Sequence, residues 1–199
     1  MQEYKKGNFI FIKDKVKQDF INNKIMENKE FEGSRPFFFA IKDSKIDDIF
    51  WLIPISSKLQ KYERIYNNKI ENNGFCDTLH FADVKGQRRA FLLQNMIPLT
   101  SNYFENVYKE NNGVPVAIDN RDSKEIITKC QKIIALAENR NIDLTFTNIK
   151  DMKNKLVQSL KNSIEVVDNF GIKELETTQK NIDKELSSTL SKNKNNVVR

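Results

Sequence analysis

Between Trp51 and Tyr62 the chain reads Trp-Leu-Ile-Pro-Ile-Ser-Ser-Lys-Leu-Gln-Lys-Tyr, and here residue type and spacing could do chemistry. An apolar run stops at Pro54, which has no N–H for a strand ladder. Two hydroxyls and two amines follow: Ser56, Ser57, Lys58 and Lys61. Hydroxyls hydrogen-bond anionic oxygens and an ammonium offsets their charge, so this turn is equipped to hold or polarise an anionic group. Groups carried at the end of a rigid strand are well placed to act as a site. The same residues also read as a polar strand exit, with serine as a cap and lysine in solvent, and the segment by itself leaves both readings open.

Elsewhere the familiar catalytic patterns are missing. There is no glycine-rich phosphate loop, no H-E-x-x-H and no G-x-S-x-G. The single histidine, His80, lies between Leu79 and Phe81 and reads as packed or hydrogen-bonded within a strand. Cys76 and Cys130 read as small buried residues, and two cysteines make neither a disulfide framework nor a four-ligand zinc site. No metal or cofactor site is expected. The 33 Lys and Arg outnumber the 27 Asp and Glu, giving net +6 over 199 residues. Nucleic acid is the commonest partner of such a surface. The polar start, Met1 to Asn8, and the lack of any apolar run of about 20 residues predict a cytoplasmic protein without a membrane segment.

The elements that must position these groups are strands first and helices later. Phe9-Ile10-Phe11-Ile12, Pro36 to Ile41 and Ile49 to Ile53 read as strands. Val16, Phe20, Ile21 and Ile25 predict a short helix within Lys13–Lys29. Leu79–Phe81 and Ala90–Leu93 flank Lys85-Gly86 as a hairpin with a longer loop, and Ile97-Pro98-Leu99 opens a further element. Asp122-x-x-Glu125 looks like the capping box of a helix whose core stripe is Ile126, Cys130, Ile133, Ile134 and Ala137. Ile149, Met152, Leu156, Leu160, Ile164 and Val167 trace another. The predicted organisation is one domain over 1–165 and a helical to disordered extension over 166–199.

The Pro54–Lys61 segment resembles the P-[LI]-[ST]-S-x-K turn of the ToxN/AbiQ family, the protein toxins of type III toxin–antitoxin systems, which include the CptN and TenpN branches. Three further stretches match in the same order: Arg35 to Ile41, Ala90 to Leu99 with its N-M-I-P run, and the helix Ile126 to Ala137. The resemblance spans about residues 7–160. In one place the sequence departs from the pattern: Lys58 follows Ser57 directly, where family members place a residue between hydroxyl and lysine.

The resemblance implies an α+β fold, a compact and strongly bent antiparallel β-sheet similar to the Kid/PemK-type toxins, with helices around it. It implies a metal-independent endoribonuclease that leaves a 2′,3′-cyclic phosphate and a 5′-hydroxyl. It also implies inhibition by a repeated, pseudoknotted antitoxin RNA in an RNA-bridged hetero-oligomer, and a role in abortive infection, with cellular or phage RNA as substrate. RNA brings its own nucleophile, the 2′-hydroxyl, so the protein has only to align it, stabilise the phosphorane and move two protons. Ser56, Ser57 and Lys58 are the catalytic candidates, with Lys61 as the alternative lysine or a phosphate contact. Arg35 and Arg88 are candidate phosphate contacts or solvated surface. Gln94 and Asn95 would read bases or close a strand end, and Tyr62 would stack a base or pack in the core. A protein-inhibited ribonuclease toxin and a non-catalytic RNA-binding module are the rival readings.

Overall fold

The computed structural model describes residues 4–163 apart from 22, 24, 27, 28, 31 and 32. In chain order the elements are β1 (Phe9–Ile12), α1 (Lys15–Asp19), β2 (Lys29–Glu30), β3 (Gly33–Ser34), β4 (Phe37–Lys42), β5 (Phe50–Ser56), α2 (Leu59–Asn73), β6 (His80–Val84), β7 (Gln87–Phe91), β8 (Ile97–Leu99), β9 (Phe104–Val107) and α3 (Asn120–Arg140). A further helix, α4, covers residues 149–163. β2 and β3 form a ribbon of their own. The other strands make one seven-stranded antiparallel sheet in the order β6-β7-β5-β4-β1-β9, with β8 also on β5. This is the expected α+β class.

β5 is the central strand, and all seven of its residues are buried. One edge of it is shared: Phe50–Leu52 pair with β8, while Ile55 and Ser56 pair with β7. The sheet is strongly bent. β7 and β1 are three strand spacings apart, about 14 Å if the sheet were flat, yet the rings of Phe91 and Phe9 lie 6.0 Å apart. Register shifts in β4–β5 at Phe39/Ile41 and in β1–β9 at Phe11/Ile12 supply the bend, because an extra residue on one strand kinks it. The concave face carries Phe9, Phe38, Ile53 and Phe91, and α3 packs there through Ile126, Cys130, Ile133 and Ala137. α2 covers the other face of β7 through Tyr62, which clusters with Ala90 and Leu92.

Several expectations are refined. The β6–β7 loop is two residues, not longer: Lys85 and Gly86 both take positive φ, 54° and 72°, the turn whose twist suits a tight hairpin. α1 stops at Asp19, leaving Ile21 80% exposed, because the following Phe-Ile-Asn-Asn favours helix poorly. The N-cap of α3 is Asp119, three residues before Asp122: its Oδ1 accepts from the Arg121 N–H at 2.7 Å. β9 has no counterpart in the sequence reading, as only Phe104 and Val107 of its four residues are buried. Met1–Leu156 form one compact unit and Val157–Arg199 a second, and the expected boundary at 165/166, Ile164, Val167 and the tail lie outside the described residues. No helix among the described residues is long and apolar enough to cross a membrane.

α2 ends at Gly74 with φ +76°, its N–H donating to the Ile70 carbonyl at 2.8 Å. A Cβ added there would meet nothing within 4 Å, so only the left-handed backbone resists a side chain. Gly74→Ala is expected to cost about 1 kcal/mol, read as a lower urea midpoint with unchanged slope.

Candidate functional site

β5 does not stop at Pro54 as the sequence suggested: Pro54 pairs with Phe37, Ile55 and Ser56 continue the strand on β7, and the exit after Ser56 leads directly into α2. Ser56 pairs with Ala90, and paired residues share a face, so its side chain lies on the α2 side of the sheet. Its hydroxyl is fully buried, and Oγ accepts from the Lys58 N–H at 3.3 Å. Ser56 therefore braces the turn from inside. Ser57 and Lys58 are exposed where the strand ends, and the Ser57 carbonyl accepts from the Leu59 N–H at 2.8 Å. Lys58 is the N-cap residue of α2, which carries no acidic residue in its first turn. The positive dipole end of this 15-residue helix thus adds to the lysine charge. Lys61, also exposed, sits one turn on, with Nζ 5.5 Å from the Tyr62 ring centroid.

Arg35 is brought to the same place from behind. It is 4% exposed, and Nη1 donates to the Ile55 carbonyl. A guanidinium so placed is not solvated surface: it holds the strand end and keeps its positive charge next to Ser56. The concave side of this strand end opens into a cleft of about 610 Å³, with Ser34, Ile55, Gln87, Arg89, Asn106 and Tyr108 among its walls. The two ends of the bent sheet meet across it: Lys85, in the β6–β7 turn, has Nζ 5.2 Å from the ring centroid of Tyr108, just after β9.

The remaining sequence candidates are placed elsewhere. Arg88 alternates to the opposite face of β7 from Arg89 and stacks over Phe81 at 5.5 Å, beside a smaller cleft of about 400 Å³ shared with Tyr66, His80 and Lys129. Gln94 is 3% exposed, its backbone N–H donating to the Thr78 carbonyl at 3.1 Å and its carbonyl accepting from Phe146 at 2.7 Å. Asn95 is in the same short turn, its N–H on the Leu92 carbonyl. Both thus lie in the short turn between β7 and β8. Tyr62 is 5% exposed and packs under α2, as its core alternative required.

His80 is buried and bound: Nε2 lies 2.9 Å from Asp122 Oδ1, and Nδ1 lies 3.5 Å from Glu125 Oε1. Burial pushes the Glu125 carboxyl up, but His80 and Lys129 beside it outweigh this and hold it below the usual carboxylate range. Both cysteines are buried, and burial pushes the Cys130 thiol up to about 12, so it stays protonated and unreactive. Gln87, Arg89, Asn106 and Tyr108 were not among the sequence candidates. Strand alternation around the hairpin could have separated Arg89 from Arg88, but nothing local marks Asn106 or Tyr108.

These features define a bent antiparallel sheet with flanking helices and a hydroxyl–lysine turn beside a polar cleft at the end of its central strand. No family model matches the chain, and no curated protein matches it. Among solved structures, that of AbiQ, a lactococcal anti-phage endoribonuclease belonging to the type-III toxin–antitoxin system, superposes with a TM-score of 0.58. The match covers 77% of this chain and 98% of that one at 11% sequence identity. The fold is the AbiQ fold.

Proposed function

We propose that this chain is the toxin of a type III toxin–antitoxin system, an endoribonuclease that cuts RNA through the substrate's own 2′-hydroxyl. The observation that carries the reading is the AbiQ-like fold spanning nearly all of that protein, with the Ser57-Lys58 turn of the family pattern exposed at the end of its central strand. In this reading the RNA backbone lies across the N-terminus of α2. The Ser57 hydroxyl donates to a non-bridging phosphate oxygen. The Lys58 ammonium and the helix N-terminus stabilise the dianionic phosphorane as the 2′-oxygen, its proton passing to water, attacks phosphorus and the 5′-oxygen leaves, taking a proton from water to become the 5′-hydroxyl. Ser56 and Arg35 hold the turn in place, and Lys61 contacts a neighbouring phosphate. No step requires a metal or cofactor.

The partners follow from the same reading. A repeated pseudoknot antitoxin RNA would occupy the site and bridge toxin copies into a hetero-oligomer in the cytoplasm. Release from it would expose cellular or phage RNA to cleavage and abort infection.

The test is expression of the wild-type chain in a bacterial host without antitoxin. Growth arrest is expected, with RNA fragments carrying 5′-hydroxyl and 2′,3′-cyclic phosphate ends. Arrest with intact RNA, or fragments bearing 5′-phosphates, would overturn the reading in favour of a binding module or a different nuclease chemistry.

A further inference from the structure

The cleft on the concave face has a chemistry that a phosphate groove does not need. Lys85 and Arg89 line it, but so does the carboxylate of Glu105, which repels phosphate and accepts from amino groups. Two side-chain amides line it as well, Gln87 and Asn106, both exposed. Gln87 Oε1 accepts from Arg89 Nη2, so the oxygen is engaged and the amide NH₂ is the donor it presents. Phe11 and Tyr108 meet edge to face with ring centroids 5.3 Å apart, forming an aromatic wall. The Lys85 amine over Tyr108 stands on a flexible stem at a hairpin tip and can swing aside. The volume of about 610 Å³ lies in the ordinary range for small-ligand clefts, about 300–1,000 Å³. Ile55, on its wall, is two residues from Ser57. That is about 7 Å of extended chain, the reach of about two nucleotides stacked at ~3.4 Å each.

We propose that this cleft is a base-selecting subsite, taking one unstacked nucleobase of the RNA strand next to the scissile phosphate. The proposal rests on the endoribonuclease reading. Tyr108 stacks the base, Gln87 and Asn106 read its hydrogen-bonding edge with Glu105 accepting from an exocyclic amine, and Arg89 and Lys85 hold the flanking phosphates. Side-chain amides and a carboxylate distinguish bases, which phosphate contacts cannot do.

The experiment uses the full chain and three variants, Gln87→Ala, Asn106→Ala and Tyr108→Leu, the last keeping apolar contact with Phe11. Each is first checked for a wild-type melting curve. Cleavage of a randomised single-stranded RNA pool is mapped by sequencing the 5′-hydroxyl ends. In the wild type one position beside the cut should show a base preference. In Gln87→Ala and Asn106→Ala that preference should fall by about tenfold, through slower cutting at the preferred sequences. Tyr108→Leu should slow cutting of all sequences by about tenfold. If all three variants cut with wild-type preference and rate, the subsite is overturned while the nuclease stands. If the wild type does not cut, binding of labelled RNA pentamers decides. Base-dependent binding lost in the variants keeps the subsite and discards the nuclease, and absence of base-dependent binding overturns both.

Discussion

Ser57→Ala is expected to slow RNA cleavage by about 10²–10³-fold, the loss seen when one preorganised donor to a developing oxyanion is removed. Lys58→Ala should do at least as much, because it removes a full charge from the same place. Both side chains are exposed at the strand end, so neither change opens a cavity, and the folded state should keep its stability. In cells the two variants should be expressed without growth arrest. Single-turnover rates on a short RNA, with saturating enzyme, separate chemistry from binding. Lys61→Ala serves as the contrast. One turn along α2, it should weaken binding and flatten its salt dependence, with a log–log slope smaller by about 0.7, while the single-turnover rate holds. Ser56→Ala acts differently again: its hydroxyl is buried against the Lys58 N–H, so the expected effect is about 1 kcal/mol of stability and a modest rate loss through a looser turn. Should Ser57→Ala and Lys58→Ala both keep wild-type rates while Lys61→Ala does not, the catalytic lysine is Lys61.

The largest stability effect is expected at Lys153 of α4. Its Nζ reaches Asp43 Oδ2 at 2.6 Å and also pairs with Glu138 Oε1, and the Trp51 indole N–H donates to Asp43 at 3.1 Å. The Asp43 side chain is 3% exposed and the Lys153 side chain 12%. Lys153→Met keeps the stem and removes the charge, leaving a buried carboxylate without its cation. Breaking such a pair from one side costs about 3–5 kcal/mol, measured as the loss in urea midpoint at neutral pH. Acidity should reverse the defect. Burial pushes the Asp43 carboxyl up, but its bonds from Lys153, the Lys45 backbone N–H and Trp51 outweigh this and hold it below the usual carboxylate range. A carboxyl depressed in the folded state contributes stability that is present above its unfolded value of about 3.9 and lost as pH falls through the folded one. Wild type should therefore lose stability below about pH 4, while Lys153→Met, whose Asp43 can be protonated, loses less, and the two curves converge. Equal midpoints at neutral pH would show that the pair contributes nothing to the fold.

Much of the scaffold was legible from local pattern. The apolar run from Phe50 is β5, but the strand passes through Pro54, which pairs with Phe37, and ends two residues later at Ser56, so the missing donor of proline did not end it. The stripe Ile126, Cys130, Ile133 and Ala137 is the buried face of α3, because a 3.6-residue period records which side of a helix avoids water. Lys85-Gly86 is the hairpin turn, since few residue pairs tolerate two positive φ angles in succession. The packed places of His80, between Leu79 and Phe81, and of Cys130, at helical spacing from Ile126 and Ile133, were also available from the sequence, because those apolar partners are buried or packed against the core.

The cleft was not. Its walls come from Ser34, Ile55, Arg89 and Tyr108, on segments that share no local pattern. They meet only because two register shifts bend the sheet until its first and last strands approach. The chain alone determined where β1, β4, β5 and α3 lie, to within a few residues, and that hydroxyls and lysines follow one another after Ile55, because those depend on short-range periodicity and adjacency. The tertiary structure decided that Ser56 braces rather than faces solvent, that Arg35 stands behind the strand, and that Arg89 rather than Arg88 shares a cleft with Tyr108. Face and curvature are set by pairing between distant strands, and a single residue of register exchanges one face for the other.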